Sequence, residues 1–158
     1  MPQALQGLIS RNFVTVQKAN ELPQPKDPDS YVVVVDAEGT PVALTTGEDI
    51  TLGFPPRDLF LADEGSSLTH LRQLRRVLEK EGFSPLGIGV MRGQTIVGII
   101  PFHMLQEEKS FGLAQTLADA QYRCRRYPAC SEETTVQFMH APPLCPASSA
   151  HGHMVLMG

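Results

Sequence analysis

Two stretches of the chain carry the same pattern of apolar and polar positions. Tyr31-Val32-Val33-Val34-Val35 is an unbroken apolar run, Asp36-Ala37-Glu38-Gly39 has turn chemistry, and Val42-Ala43-Leu44 resumes the apolar pattern. This is a β-hairpin whose first strand is too continuous for one solvated face, so burial on both faces is expected. Thr46 then stands where a helix cap belongs, with Glu48 and Asp49 entering the first turn near its positive end. The same sequence of apolar run, glycine-containing turn and apolar run returns from Leu86 to Ile100, around Arg92-Gly93-Gln94. A duplicated unit is expected.

Other elements follow from the same kind of pattern. Phe13-Val14-Thr15-Val16 alternates as a strand does, and Asp58 to Asp63 is a second candidate strand. Between Leu22 and Ser30 stand Pro23, Pro25 and Pro28, which remove donors and restrict their neighbours, so a regular helix is not expected there. A helix is predicted from a cap at Ser66 or Ser67 to Gly82, with Leu68, Leu71, Leu74 and Leu78 inward. Arg72, Arg75, Arg76, Glu79 and Lys80 take the opposite face, which reads as solvated surface in preference to a phosphate site. Phe111 to Ala120 suits a short helix or a packed linker.

The hairpins and the Thr46-x-x-Asp49 segment resemble the CBS-domain family, whose repeats carry a motif of the form VVD-x-x-G-x-x-V-G followed by two apolar residues and T-x-x-D, and pair in tandem as a Bateman module. The resemblance covers residues 12–118, with an abbreviated repeat over 12–54 and a fuller one over 55–118, preceded by an N-terminal segment, 1–11. It implies an adenine-nucleotide site in which the Thr lies near phosphate or ribose and the Asp accepts ribose hydroxyls, here Thr46 and Asp49. The second repeat places Pro101 and Met104 at those positions, and a thioether is a poor substitute for a carboxylate, so at most one such site is expected. Ala43 stands where the motif has Gly. The resemblance further implies self-association through the module. His103 is a candidate to face the cleft, with a partly buried structural position beside Phe102 the preferred reading.

Composition changes after residue 118. The three cysteines, Cys124, Cys130 and Cys145, all lie in the tail and cannot all pair with one another, so a local metal site or free thiols is favoured over a disulfide framework. Cys124 and Cys130 stand on one candidate turn, Thr134 to Phe138 suits a strand, and Cys145 with His151 follows, a layout similar to a zinc ribbon. His151 is the preferred fourth ligand because its spacing from Cys145 mirrors that of the first pair; His153 and His140 are alternatives. Four protein ligands leave no open position, so the expected Zn2+ is structural. Arg123, Arg125 and Arg126 are candidates for a small basic surface.

The expected fold class is therefore α/β, tandem CBS-like ββα repeats with a small C-terminal zinc-ribbon-like knob over 119–158. The net charge of -4 offers no global attraction for nucleic acid or an anionic membrane. No apolar run approaches the roughly twenty residues of a membrane span, and the N-terminus has no signal-peptide pattern, so a cytoplasmic protein is expected. Nucleophile-elbow, Walker, His-Glu-x-x-His and dinucleotide-binding motifs are absent from the sequence. The function expected is that of a non-enzymatic regulatory or interaction module, either a sensor of an adenine nucleotide or a ligand-free scaffold with a protein partner.

Overall fold

The computed structural model describes residues 7–17, 29–105, 119–137 and 140–158. It is a mixed α/β structure with two sheets and few helices. The first sheet holds β1 (Phe13–Val16), β2 (Tyr31–Val35), β3 (Pro41–Thr46) and β4 (Arg57–Asp58), side by side in that order. The second holds β5 (Phe60–Asp63), β6 (Gly87–Arg92), β7 (Thr95–Pro101), β8 (Asp119–Arg123), β9 (Glu133–Gln137) and β10 (Val155–Leu156), in the order β7-β6-β5-β10-β8-β9. Both anticipated hairpins form, β2 with β3 and β6 with β7. In each sheet a further strand lies parallel to the first strand of the hairpin, β1 beside β2 and β5 beside β6.

The apolar runs are buried on both faces, as their continuity requires. Val32, Val33 and Val34 are all buried, and so are Ile88, Val90 and Met91. For the second run the reason is a layered arrangement in which the six-stranded sheet is covered on both faces. On one side α2 (Leu68–Lys80) packs Leu71, Leu74, Val77 and Leu78 onto Phe60, Ala62, Ile88, Val90 and Leu156. On the other, Leu61, Met91, Ile99 and Val155 meet Val33 and Leu44 of the first sheet. Alternation along β5 sends Phe60 and Ala62 to one layer and Leu61 to the other.

The helix starts are chosen by the side chains expected to choose them. Ser67 Oγ accepts the His70 N–H at 3.1 Å at the head of α2, and Gly82, at φ +86°, follows its end. Thr46 Oγ1 accepts the Asp49 N–H at 3.1 Å at the head of α1 (Gly47–Leu52). The outer face of α2 is less solvated than its composition suggests. Arg72, Arg75 and Arg76 are half-buried, and Arg75 both pairs with Glu79 at 2.6 Å and lies over the Phe102 ring.

Two expectations are corrected. The stretch from Asp58 to Asp63 is not one strand: β4 belongs to the first sheet and β5 to the second, and the chain changes sheet at the buried Leu59. The tail is not a separate knob, because β10 lies between β5 and β8, with Leu156 opposite Ala62 in parallel and Tyr122 opposite in antiparallel. A segment too short for its own core completes the core of its neighbour, burying Ala120, Tyr122, Met154 and Leu156 against it. The expectation for 22–30 falls almost wholly outside the described residues, as does that for 111–120, whose last two residues open β8.

Candidate metal centre

Cys124 leaves the end of β8 and enters a tight loop closed by Tyr127 N–H donating to Cys124 C=O at 3.1 Å and Cys130 N–H to Arg126 C=O at 3.2 Å. The loop therefore returns Cys130 to the side of Cys124. Cys145 is held from the opposite direction, its N–H donating to Gly152 C=O at 3.1 Å. Between them the chain makes a 3-10 turn, Ser149–His151, entered through Ser148, whose Oγ accepts the Ala150 N–H. Gly152 closes the turn at φ +79° and ψ -171°, a combination available essentially to glycine alone.

These two loops bring the ligand atoms of Cys124, Cys130, Cys145 and His151 within 4.8 Å of one another. Cys130 Sγ lies 3.6 Å from Cys145 Sγ, and Cys124 Sγ lies 3.6 Å from His151 Nδ1. With metal–sulfur bonds of about 2.3 Å and metal–nitrogen bonds of about 2.0 Å, a tetrahedral site sets its donors roughly 3.5–3.8 Å apart. The donor set fits such a centre, and the two closest pairs stand at its spacing, with all four donors inside 4.8 Å. The four residues preferred from spacing are the four that converge, and the alternatives are engaged elsewhere. His153 Nδ1 lies 2.6 Å from Pro142 C=O with its ring against Phe60, and His140 Nδ1 lies 3.2 Å from Glu81 Oε1.

The thiols differ in environment. Burial pushes the Cys124 thiol up to about 12, with Cys130 and Cys145 adding to the shift and the Arg126 N–H opposing it. Burial acts in the same direction on Cys145, but His151, the N–H groups of Ala147 and Ser148, and Cys130 outweigh it and bring the thiol down to about 7. Backbone donors aimed at sulfur stabilise thiolates, which is the form a metal takes.

The basic surface expected around the cysteines is corrected, because its arginines are spent inside the fold. Arg125 is buried and donates to three carbonyls, His153 at 2.6 Å, Pro41 at 2.8 Å and Leu59 at 2.7 Å. It thereby ties the tail to β3 and to the point where the chain changes sheet. Burial lowers its pKa to about 10, against the opposing effect of Asp58, Cys124 and Asp36. Arg126 pairs with Asp36 at 2.9 Å and Glu38 at 3.7 Å in the turn of the first hairpin, and Arg123 lies over the Tyr127 ring. Nothing in the sequence around Arg125 distinguishes it from its neighbours; only the strand pairing reveals where it points.

No family model, no curated protein and no solved structure matches this chain.

Thr46 and Asp49 lie at the head of α1, away from the cysteine-bearing elements in sequence and in a different sheet layer. Thr46 Oγ1 is already used as the cap, and the Asp49 carboxylate is 3.9 Å from Arg57 Nη2. Asp49 Oδ2 is buried without a hydrogen bond. After β7, Met104 is exposed, and His103 is exposed too, in contrast to the partly buried position expected of it. Among the described residues no helix is long and apolar enough to cross a membrane.

Proposed function

We propose that the chain is a non-enzymatic interaction module whose tail is pinned to its core by a structural zinc ion held on Cys124, Cys130, Cys145 and His151. The observation that carries this reading is the convergence of those four ligand atoms within 4.8 Å. Three thiolates and an imidazole suit zinc in softness and number, and four protein donors leave no place for a reacting water. Bound there, the ion would supply cross-linking between the Cys124–Cys130 loop and the Cys145–His151 loop. Arg125 interacts electrostatically with Cys124, which offsets part of the net negative charge of a divalent ion with three thiolates.

Zinc content of the purified chain by mass spectrometry tests the reading. One zinc per chain is expected, with loss of stoichiometry in Cys145→Ser; a folded chain that neither carries zinc nor takes it up overturns the proposal. The repeated connectivity of parallel strand and hairpin supports a pair of CBS-like repeats in the body of the module. That reading implies pairing with a second copy, and sedimentation over a concentration series tests it, a strictly monomeric chain counting against it.

A second reading, adenine-nucleotide sensing in the first repeat, is favoured by one observation, the buried and unbonded Asp49 Oδ2. Thermal shifts with AMP, ADP, ATP and S-adenosylmethionine, repeated on Asp49→Ala, decide it. A ligand at 100 times its dissociation constant stabilises by about 2.7 kcal/mol, and a shift lost in the variant would locate the site. Absence of any shift leaves the ligand-free scaffold.

A further inference from the structure

The cysteine cluster has an accessible side. A cavity of about 330 Å³ lies where the turns of both hairpins, at Glu38 and Gln94, meet the loop carrying Arg126, Tyr127 and Cys130, with His151 also in its wall. Cys124 and Cys145 are 2% and 3% exposed, whereas Cys130 is half-buried. Of the three cysteines Cys130 alone stands in the wall of this cavity, beside His151, so a small solute within it reaches Cys130 before either of the others. Behind it, at 3.6 Å, stands Cys145 Sγ, while Cys124 Sγ faces His151 Nδ1 and accepts the Arg126 N–H at 3.4 Å.

We propose that Cys130 is a site of oxidation by small hydroperoxides, and that the reaction ends in a Cys130–Cys145 disulfide that dismantles the metal centre. The inference rests on the zinc reading above. The Cys130 thiolate attacks the terminal oxygen of the hydroperoxide, forming an S–O bond and breaking the O–O bond; the alkoxide or hydroxide that leaves takes a proton and departs as alcohol or water. The Cys145 thiolate then attacks the Cys130 sulfur, the S–S bond forms, and the hydroxyl of the sulfenic acid leaves as hydroxide, protonated to water. Two thiolates lose two electrons, the hydroperoxide gains them, and two protons are consumed. Cys124 and His151 are then the only members of the cluster left to hold an ion. The two loops stay joined through the new disulfide while the ion is lost, so the centre exchanges a metal cross-link for a covalent one when an oxidant enters the cavity.

The experiment uses the full zinc-loaded chain, with zinc content measured before one equivalent of hydrogen peroxide is added. Zinc release is followed with a chromogenic chelator, and cysteine linkage by peptide mapping without reduction. Release about tenfold faster than in untreated protein is expected, with one zinc freed per disulfide and a Cys130–Cys145 peptide as the main product. Reductant and zinc together restore the starting state. Ala129→Phe, at an exposed position on the cavity lining, is expected to keep the zinc and slow its release. Zinc retained under peroxide, a disulfide that includes Cys124, or Cys130 driven to sulfinic acid without a disulfide each overturns the inference while leaving the zinc reading intact. A chain found without zinc before oxidant is added overturns both.

Discussion

Arg125 is the residue on which the two sheets and the tail depend together. Its guanidinium satisfies carbonyls of Pro41, Leu59 and His153, three groups that come from different parts of the chain and are not all paired by strands. Arg125→Met would keep much of the side chain's bulk and remove every donor, leaving buried acceptors unpaired. A loss of about 3–5 kcal/mol is expected, read as a lower urea midpoint, and a variant as stable as the parent would show that water replaces the guanidinium without cost. Gly152 makes a more local demand. Its backbone sits where a Cβ is strained, and an added methyl would stand 3.5 Å from Arg125 Nε, so Gly152→Ala should cost about 1–3 kcal/mol and weaken zinc retention together. Equilibrium unfolding beside a chelator competition assay would reveal whether the two effects are joined. The cysteines and His151 were legible as candidates from their types and spacing, but neither Arg125 nor Gly152 was. An arginine among arginines acquires a buried role only when distant carbonyls arrive around it.

Among the elements, α2 is the clearest case of local pattern and tertiary demand agreeing. Its leucines recur at helical spacing, a serine caps its start, and a glycine follows its end. Leu74 is fully buried at the centre of the contact with the six-stranded sheet, so Leu74→Ala should destabilise by about 2–5 kcal/mol. Ser67→Ala removes the acceptor for the His70 N–H together with the hydroxyl's 2.7 Å contact with His70 Nδ1, and should cost about 1 kcal/mol. The ratio of the two, measured in one denaturant series, separates packing from capping; equal effects would contradict the burial seen here. The strands were legible in a different way. Unbroken apolar runs within Tyr31–Val35 and at the start of Gly87–Arg92 imply burial on both faces whatever covers them. The short β4 and β10 were not legible, since two residues carry no period. Each exists because a neighbouring strand offers it an edge.

For the molecule as a whole, the metal centre should govern stability. Chelation of the zinc-loaded chain is expected to lower its melting temperature, with recovery on adding zinc back, because ion binding favours only the folded state. In the metal-free chain the thiols impose a definite pH dependence. Cys145 has its pKa lowered from 9.0 to about 7, so its contribution is fully present above pH 9 and is lost as the pH falls through 7. Cys124 has its pKa raised from 9.0 to about 12, so its contribution is present below pH 9 and is lost as the pH rises toward 12. Melting temperatures of the chelated protein should therefore rise from pH 7 to 9 and fall beyond it, and a flat profile would mean that the loops open when the ion leaves. By itself the sequence determined the two hairpins, the long helix with its ends, and the identity of four metal-ligand candidates, because turn chemistry, periodicity and donor type are local properties. Only the tertiary structure decided that the tail joins the second sheet, that the chain changes sheets at Leu59, and that the arginines turn inward, because each depends on which distant backbone groups and apolar faces come together to be satisfied.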